Sequence, residues 1–173
     1  VVPRESPSSW GDAAGGAGMN ALRAQAVAAR SYSVTENRYS GLAKTCDTQD
    51  CQVYGGAALR TAVNATPTVL ESANTDRAVL ETAGVVIRNQ QGNVVRAEFS
   101  SSNGGRTAGG AFPAQVDQGD LAANSSLMVW SRGFSSAQIV TKYPQIGILT
   151  SVTTTNDGLG GDWGGYAVQV TVT

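Results

Sequence analysis

Apolar and polar positions change their period several times along the chain, and each change marks an element. From residue 19 the run MNALRAQAVAARSYSVTENRY holds strong helix formers with no Gly or Pro before Gly41. It predicts one long helix over residues 19–39, stopping at Ser40-Gly41. A second helix is expected over residues 71–82, ending at Gly84. The segment GVVIRNQQGNVVRAEFS (84–100) has two β-rich runs around Gln90-Gln91-Gly92-Asn93 and reads as a hairpin. SSAQIVTKY (135–143) fits a short helix capped by Ser135 or Ser136. IGILTSVTTT and the terminal YAVQVTVT form another strand pair, joined by NDGLGGDWGG. Residues 1–12 read as an ordered loop or short strand, and AAGGAG (13–18) as flexible punctuation. Loops are expected over 46–56 and 100–110, and irregular structure over 111–133. Helices and antiparallel hairpins in separate blocks give an α+β class. The architecture expected is one long Ala-rich helix and shorter helices packed on antiparallel β-hairpins, with a groove for substrate.

The long helix is built from small residues, yet it carries an amide, a guanidinium and a phenol. At about 100° per residue, Gln25, Ala29 and Tyr32 share one side, whereas Arg30 lies about 140° from Gln25. Gln25 and Tyr32 are therefore expected to face the groove. Arg30 is expected to act as a structural clamp on loop carbonyls, since a half-buried Arg needs its donors paired.

Composition narrows the chemistry. The 173 residues suffice for one domain with a core, and the strand-like end over 168–173 and abrupt start at Val1-Val2-Pro3 read as a mature or trimmed piece of a longer protein. A net charge of −1 offers no basic patch for a phosphate backbone, so no nucleic-acid partner is expected. No apolar run approaches the roughly 18 residues of a membrane span. The chain has no histidine, which removes Ser-His-Asp and Cys-His catalysis and every His-ligated zinc site. Any chemistry must come from carboxylates, hydroxyls and amides.

Four motifs in fixed order carry a resemblance: VVPRESP (1–7), NALRAQAVAARSYS (20–33), CDTQDCQVYGG (46–56) and FSSSNGGRT (99–107). Together they resemble the stage II sporulation protein D family, SpoIID, with its LytB relatives. The motif core covers about residues 1–107 of a single domain, and 108–173 is a β-rich continuation. The resemblance implies an exported bacterial cell-wall protein. It also implies a lytic transglycosylase that cleaves peptidoglycan glycan strands between N-acetylmuramic acid and N-acetylglucosamine. The other reading that it allows is a non-catalytic glycan-binding module or amidase enhancer, whose partner is a cell-wall amidase.

The family's acid/base glutamate sits in a V-x-x-E-x-P pattern, which falls on Val2 to Pro7 and makes Glu5 the catalytic residue. By itself Glu5 reads as a solvated loop carboxylate beside Arg4. One carboxylic acid is enough for this chemistry, because the attacking 6-hydroxyl is already tethered to the sugar that it attacks. Such an acid calls for apolar walls, which Pro3, Pro7 and Trp10 could supply. Ser100, Ser101, Ser102 and Asn103 cluster hydroxyl and amide groups for sugar recognition, and Gln52 and Tyr54 could line the same groove. The family often has a glutamate where this chain has Asn20, which reads here as a helix cap. Some members bind zinc through cysteines and histidines around the third motif. Without histidine, Cys46 and Cys51 of an exported protein are expected to form a disulfide, with Asp47 bracing the loop. No cofactor and no metal are expected.

Overall fold

The computed structural model describes residues 1–39, 41–128, 130–157 and 166–173. They form two compact units, Val1–Ser101 and Ser102–Thr173, in a mixed α+β arrangement of helices and two small antiparallel sheets.

In the first unit, helix α1 is one turn, Val2–Glu5, and a 3-10 segment follows at Ser8–Gly16. This opening is helical where a loop or strand was expected, because Pro3 in the first turn is preorganised for helix and needs no N–H partner there. The expected punctuation at 13–18 shrinks to a break at Ala13–Gly15, where Ala14 and Gly15 take φ of 50° and 65°. Helix α2 then runs over Met19–Thr35 with Gly18 as its N-cap. A Cβ on Gly18 would lie 1.8 Å from the Trp10 carbonyl oxygen, so only glycine fits that approach. Asn20 is thus not the cap. It sits in the first turn, and its Oδ1 accepts from Arg23 Nη1 at 2.7 Å.

Helix α2 stops at Thr35 rather than at 39. The Thr35 hydroxyl turns back onto the Ser31 and Tyr32 carbonyls, both at 2.9 Å, and Glu36 leaves in an extended conformation. Helix α3 covers Ala73–Glu81. Met19, Leu22 and Ala78 form the apolar seam between α2 and α3. Burying a leucine as Leu22 is buried contributes about 2 kcal/mol. At the seam's edge Arg23 and Arg77 both reach the Glu81 carboxylate, at 2.6 and 2.7 Å. Arg77 first, then Arg23, hold that carboxyl below its usual range.

Between the helices, strands β1 (Ala58–Leu59) and β2 (Thr68–Val69) pair antiparallel, a ribbon too short to show as a period. The hairpin expected over 84–100 reduces to one bridge, Arg88 with Val94, flanked by Asn89 N–H to Asn93 O and Val95 N–H to Ile87 O.

The second unit holds α4 (Gln118–Ala123), α5 (Ser136–Lys142), a 3-10 turn at Pro144–Ile146, and strands β3 (Val152–Asn156) and β4 (Ala167–Val172). Helix α4 lies in the stretch read as irregular. Asp117 caps its start by accepting from Asp120 N–H at 3.1 Å, and Asn124 ends it at φ 45°. Helix α5 opens with a capping box between Ser135 and Gln138. Strands β3 and β4 are antiparallel from Val152–Val172 to Asn156–Ala167. Most of the joining segment, 158–165, lies outside the described residues.

Candidate functional site

Within the first unit, α2 is the element on which everything else is fixed. Ser31, fully buried, donates to Val27 O and accepts from Ile87 N–H at 2.9 Å, which pins the segment after α3 to the helix. Arg30, the residue before it, donates to Val85 O at 2.8 Å and Val79 O at 3.3 Å. Gln52 Nε2 donates to Ala29 O at 3.2 Å and Ser33 Oγ at 2.6 Å, so the 46–56 loop lies along the last turns of α2. Cys46 and Cys51 close that loop as a disulfide.

These ties shape a pocket of about 390 Å³ lined by Glu5, Tyr32, Gln49, Cys51, Gln52, Val53, Glu98 and Phe99. Tyr32 and Phe99 meet edge to face with ring centroids 6.4 Å apart. Glu5 is half-buried at the end of α1. Its neighbour Arg4 is stacked so closely on Gly55 that a Cβ there would sit 2.5 Å from Arg4 Nε. Glu5 is thereby presented by a short rigid turn whose flanking side chain is committed elsewhere.

Beyond the pocket wall, Arg96 connects several groups. Its guanidinium lies 4.3 Å over the Tyr32 ring, and its Nη2 donates to the Tyr32 hydroxyl. It also pairs with Glu36 at 3.1 Å and Glu98 at 3.4 Å. The Glu36 side chain is only 4% exposed, and Arg38 lies 3.6 Å from its second oxygen. A buried carboxylate thus fixes Arg96, and Arg96 fixes Tyr32 and Glu98 on the pocket.

The family model of SpoIID, the stage II sporulation protein, matches residues 1–88, about half of the chain. The chain belongs to the SpoIID family. It is also 34% identical over 149 residues to the amidase enhancer of Bacillus subtilis (strain 168), an alignment covering 85% of this chain and 16% of that relative. The chain therefore spans a small part of the relative's length. No solved structure matches the chain.

The zinc of some SpoIID proteins does not fit the residues present. Cys46 and Cys51 are joined to each other, the chain has no histidine, and no cluster of three Cys, Asp or Glu side chains stands ready among the described residues. Asp47, expected to brace this loop, is exposed, and the Thr48 hydroxyl meets Asp50 instead at 3.3 Å.

Of the other SpoIID motif residues read from sequence, Glu5, Tyr32 and Gln52 meet at the pocket, and Gln25 does not line it. Seven residues return Gln25 to the side of Tyr32 but leave it about 10 Å away along the axis. Its Nε2 is buried without a partner. Tyr54 is 48% exposed, and its neighbour Val53 lines the pocket instead. Pro3, Pro7 and Trp10 supply none of the walls either; Tyr32, Val53, Cys51 and Phe99 do. Ser100 and Ser101 are exposed at the end of the first unit.

Ser102 and Asn103 belong to the second unit, where they serve their own loop. Asp120 Oδ2 accepts from Ser102 Oγ (2.8 Å), Asn103 N–H (2.9 Å) and Gly105 N–H (3.0 Å), while Asn103 Nδ2 donates to Asp117 Oδ2 (2.8 Å). Tyr166 Oη lies against the Asn103 and Arg106 carbonyls. Sequence reasoning missed Glu98, Arg96, Glu36 and Asp120. For Glu98 alone there was a signal, since it immediately precedes the FSSSNGGRT motif.

Proposed function

We propose that this SpoIID domain is a lytic transglycosylase of bacterial peptidoglycan, exported to the cell wall, with Glu5 as its single acid/base. The observation that carries this reading is Glu5 on the wall of a pocket that also offers an aromatic face, a phenol and two amides, the side chains suited to a sugar ring. In the proposed reaction the Glu5 carboxylic acid protonates the oxygen linking N-acetylmuramic acid to N-acetylglucosamine, and that C–O bond breaks. The resulting carboxylate then takes the proton of the muramyl 6-hydroxyl as its oxygen bonds to the anomeric carbon. The acid ends as it began, no water is consumed, and the product carries a 1,6-anhydro ring. Tyr32, held by Arg96, and Gln52, held by α2, would position the sugar, and the tethered hydroxyl supplies the proximity advantage.

A second reading is supported by the likeness to the amidase enhancer. In it, the pocket binds glycan without cleaving it and brings a cell-wall amidase to its substrate. Mass spectrometry of soluble products from purified peptidoglycan, intact and stripped of stem peptides, separates the two. The first reading expects 1,6-anhydro ends from the native chain and a loss of at least about a hundredfold in Glu5→Gln. Undiminished release by Glu5→Gln, or binding with no release at all, rejects it in favour of the second.

A further inference from the structure

Arg96 lies outside the pocket's lining yet holds two of the side chains that form it. Its Nη2 donates to the Tyr32 hydroxyl, its Nε lies 3.4 Å from Glu98 Oε1, and its Nη1 pairs with the buried Glu36 at 3.1 Å. Nε and Nη2 are the donors along one edge of the guanidinium plane. The Tyr32 hydroxyl is therefore set beside the carboxylate of Glu98, itself a lining residue, and its bond to Arg96 is open to solvent. The same cation covers the Tyr32 ring, 4.3 Å from the centroid, so ring and hydroxyl are held together.

The polarity of that bond decides what Tyr32 can offer a ligand. A guanidinium carries five N–H donors and no acceptor, so the phenol oxygen must accept from Arg96. The phenol's own proton then points elsewhere, and Arg96 is the only hydrogen-bond partner of this hydroxyl among the described residues. Tyr32 is left as a donor, and the group it suits is an acceptor. The described lining holds no Lys or Arg to draw in an anion, so the acceptor is a neutral one. Sugar hydroxyls donate as readily as they accept, whereas an acetamido carbonyl oxygen can only accept.

We infer that Tyr32 is the specificity-determining residue for the 2-acetamido group of the glycan, donating to its carbonyl oxygen, and that Arg96 is the positioning residue that makes the Tyr32 hydroxyl a donor. Glu36 completes the arrangement from the buried side, because its carboxylate keeps the guanidinium turned towards Tyr32. Arg96 thus acts on the glycan through Tyr32 and not by touching it. The inference rests on the reading of this pocket as a glycan site and names the group on the sugar that the site recognises.

The test is calorimetric titration of the whole chain with two neutral β-1,4-linked tetramers, one of N-acetylglucosamine and one of glucose, which differ in the acetamido group. The expected result is about tenfold tighter binding of the acetylated tetramer, equivalent to about 1.4 kcal/mol. Tyr32→Phe keeps the ring and removes the donor, so that preference should fall to about twofold or less. Arg96→Ala should lower it as far and Arg96→Lys should restore part of it, since an ammonium still donates to the phenol. In a Tyr32→Phe background Arg96→Ala should change the preference no further, an outcome that a merely structural Arg96 would not give. Should Arg96→Ala fail to fold, Tyr32→Phe and Arg96→Lys decide. A preference unchanged in Tyr32→Phe, or a further loss on adding Arg96→Ala to it, overturns the inference. Equal binding of the two tetramers overturns it while leaving the glycan site standing, and binding of neither overturns both. Lytic activity is read separately, from anhydro ends on peptidoglycan, so the transglycosylase reading can fail while the acetamido preference holds.

Discussion

Asp120 is the residue whose charge has most to do in the second unit. It receives the Ser102 hydroxyl and the backbone N–H groups of Asn103 and Gly105 on one oxygen. Chiefly the Ser102 hydroxyl, then the Gly105 N–H, hold its carboxyl below the usual aspartate range. All of these partners donate, so they favour the charged form. With the folded value depressed, the order that Asp120 gives the loop is complete above the unfolded aspartate range. It is lost as pH falls through the lower, folded value. An NMR titration should show Asn103 and Gly105 amide shifts moving together, with a midpoint below that of an ordinary aspartate, and no such midpoint in Asp120→Asn. A midpoint at the ordinary value would mean that these bonds do not persist in solution. Nothing in SSSNGGRT announces this arrangement, because its partner lies 15 to 18 residues further along, in a helix that the apolar pattern hides. A glycine-rich polar run has the same composition whether its donors face a sugar or a carboxylate of their own chain.

The long helix shows at the scale of elements what a sequence can and cannot declare. Its existence follows from propensity, and the separation of Arg30 from Tyr32 follows from the helical turn. Accordingly Arg30 reaches towards α3 and Tyr32 reaches the pocket. Its end is not declared, because residues 36–39 have acceptable helix propensity. Glu36 leaves the helix to bury its carboxylate against Arg96, a partner 60 positions on that no local rule can supply. Position along the axis is equally hidden, which is why Gln25 shares a side with Tyr32 but not a pocket. The clamp from α2 to α3 has its own expectation. Arg30 also lies 3.4 Å from the Thr82 hydroxyl, so truncating it leaves carbonyls at the α3 end without their donor. Arg30→Ala should lower unfolding free energy in urea by about 1.5 kcal/mol. Arg30→Lys should recover only part, since a single ammonium cannot span the Val85 and Val79 carbonyls as the planar fork does. Equal stability of Arg30→Ala and the native chain would show the clamp to be dispensable.

For the whole molecule, the two units differ in what holds them. Every buried apolar residue among those described, from Val2 through Met19, Leu22 and Ala78 to Ala97, belongs to the first unit. In the second unit Gly105 alone is buried among the described residues, and β3 and β4 form a two-stranded ribbon exposed along nearly its whole length. A two-stranded antiparallel ribbon without a covered face is marginal in water, however regular its ladder. Strand alternation is the more legible pattern in the sequence, yet burial decides stability, and burial depends on what packs against a face. Native-state hydrogen exchange should therefore rank the units. Amides of the α2 interior, above all around Leu22, Ala26 and Ala29, should exchange slowest. Those of β3 and β4 should exchange at least about a hundredfold faster, a gap of about 2.7 kcal/mol in opening free energy. The family match, residues 1–88, lies within the protected unit, as do all the residues lining the pocket. If β3 and β4 exchanged as slowly as α2, a face of that ribbon would have to be covered in solution, and stability would not follow the apolar core.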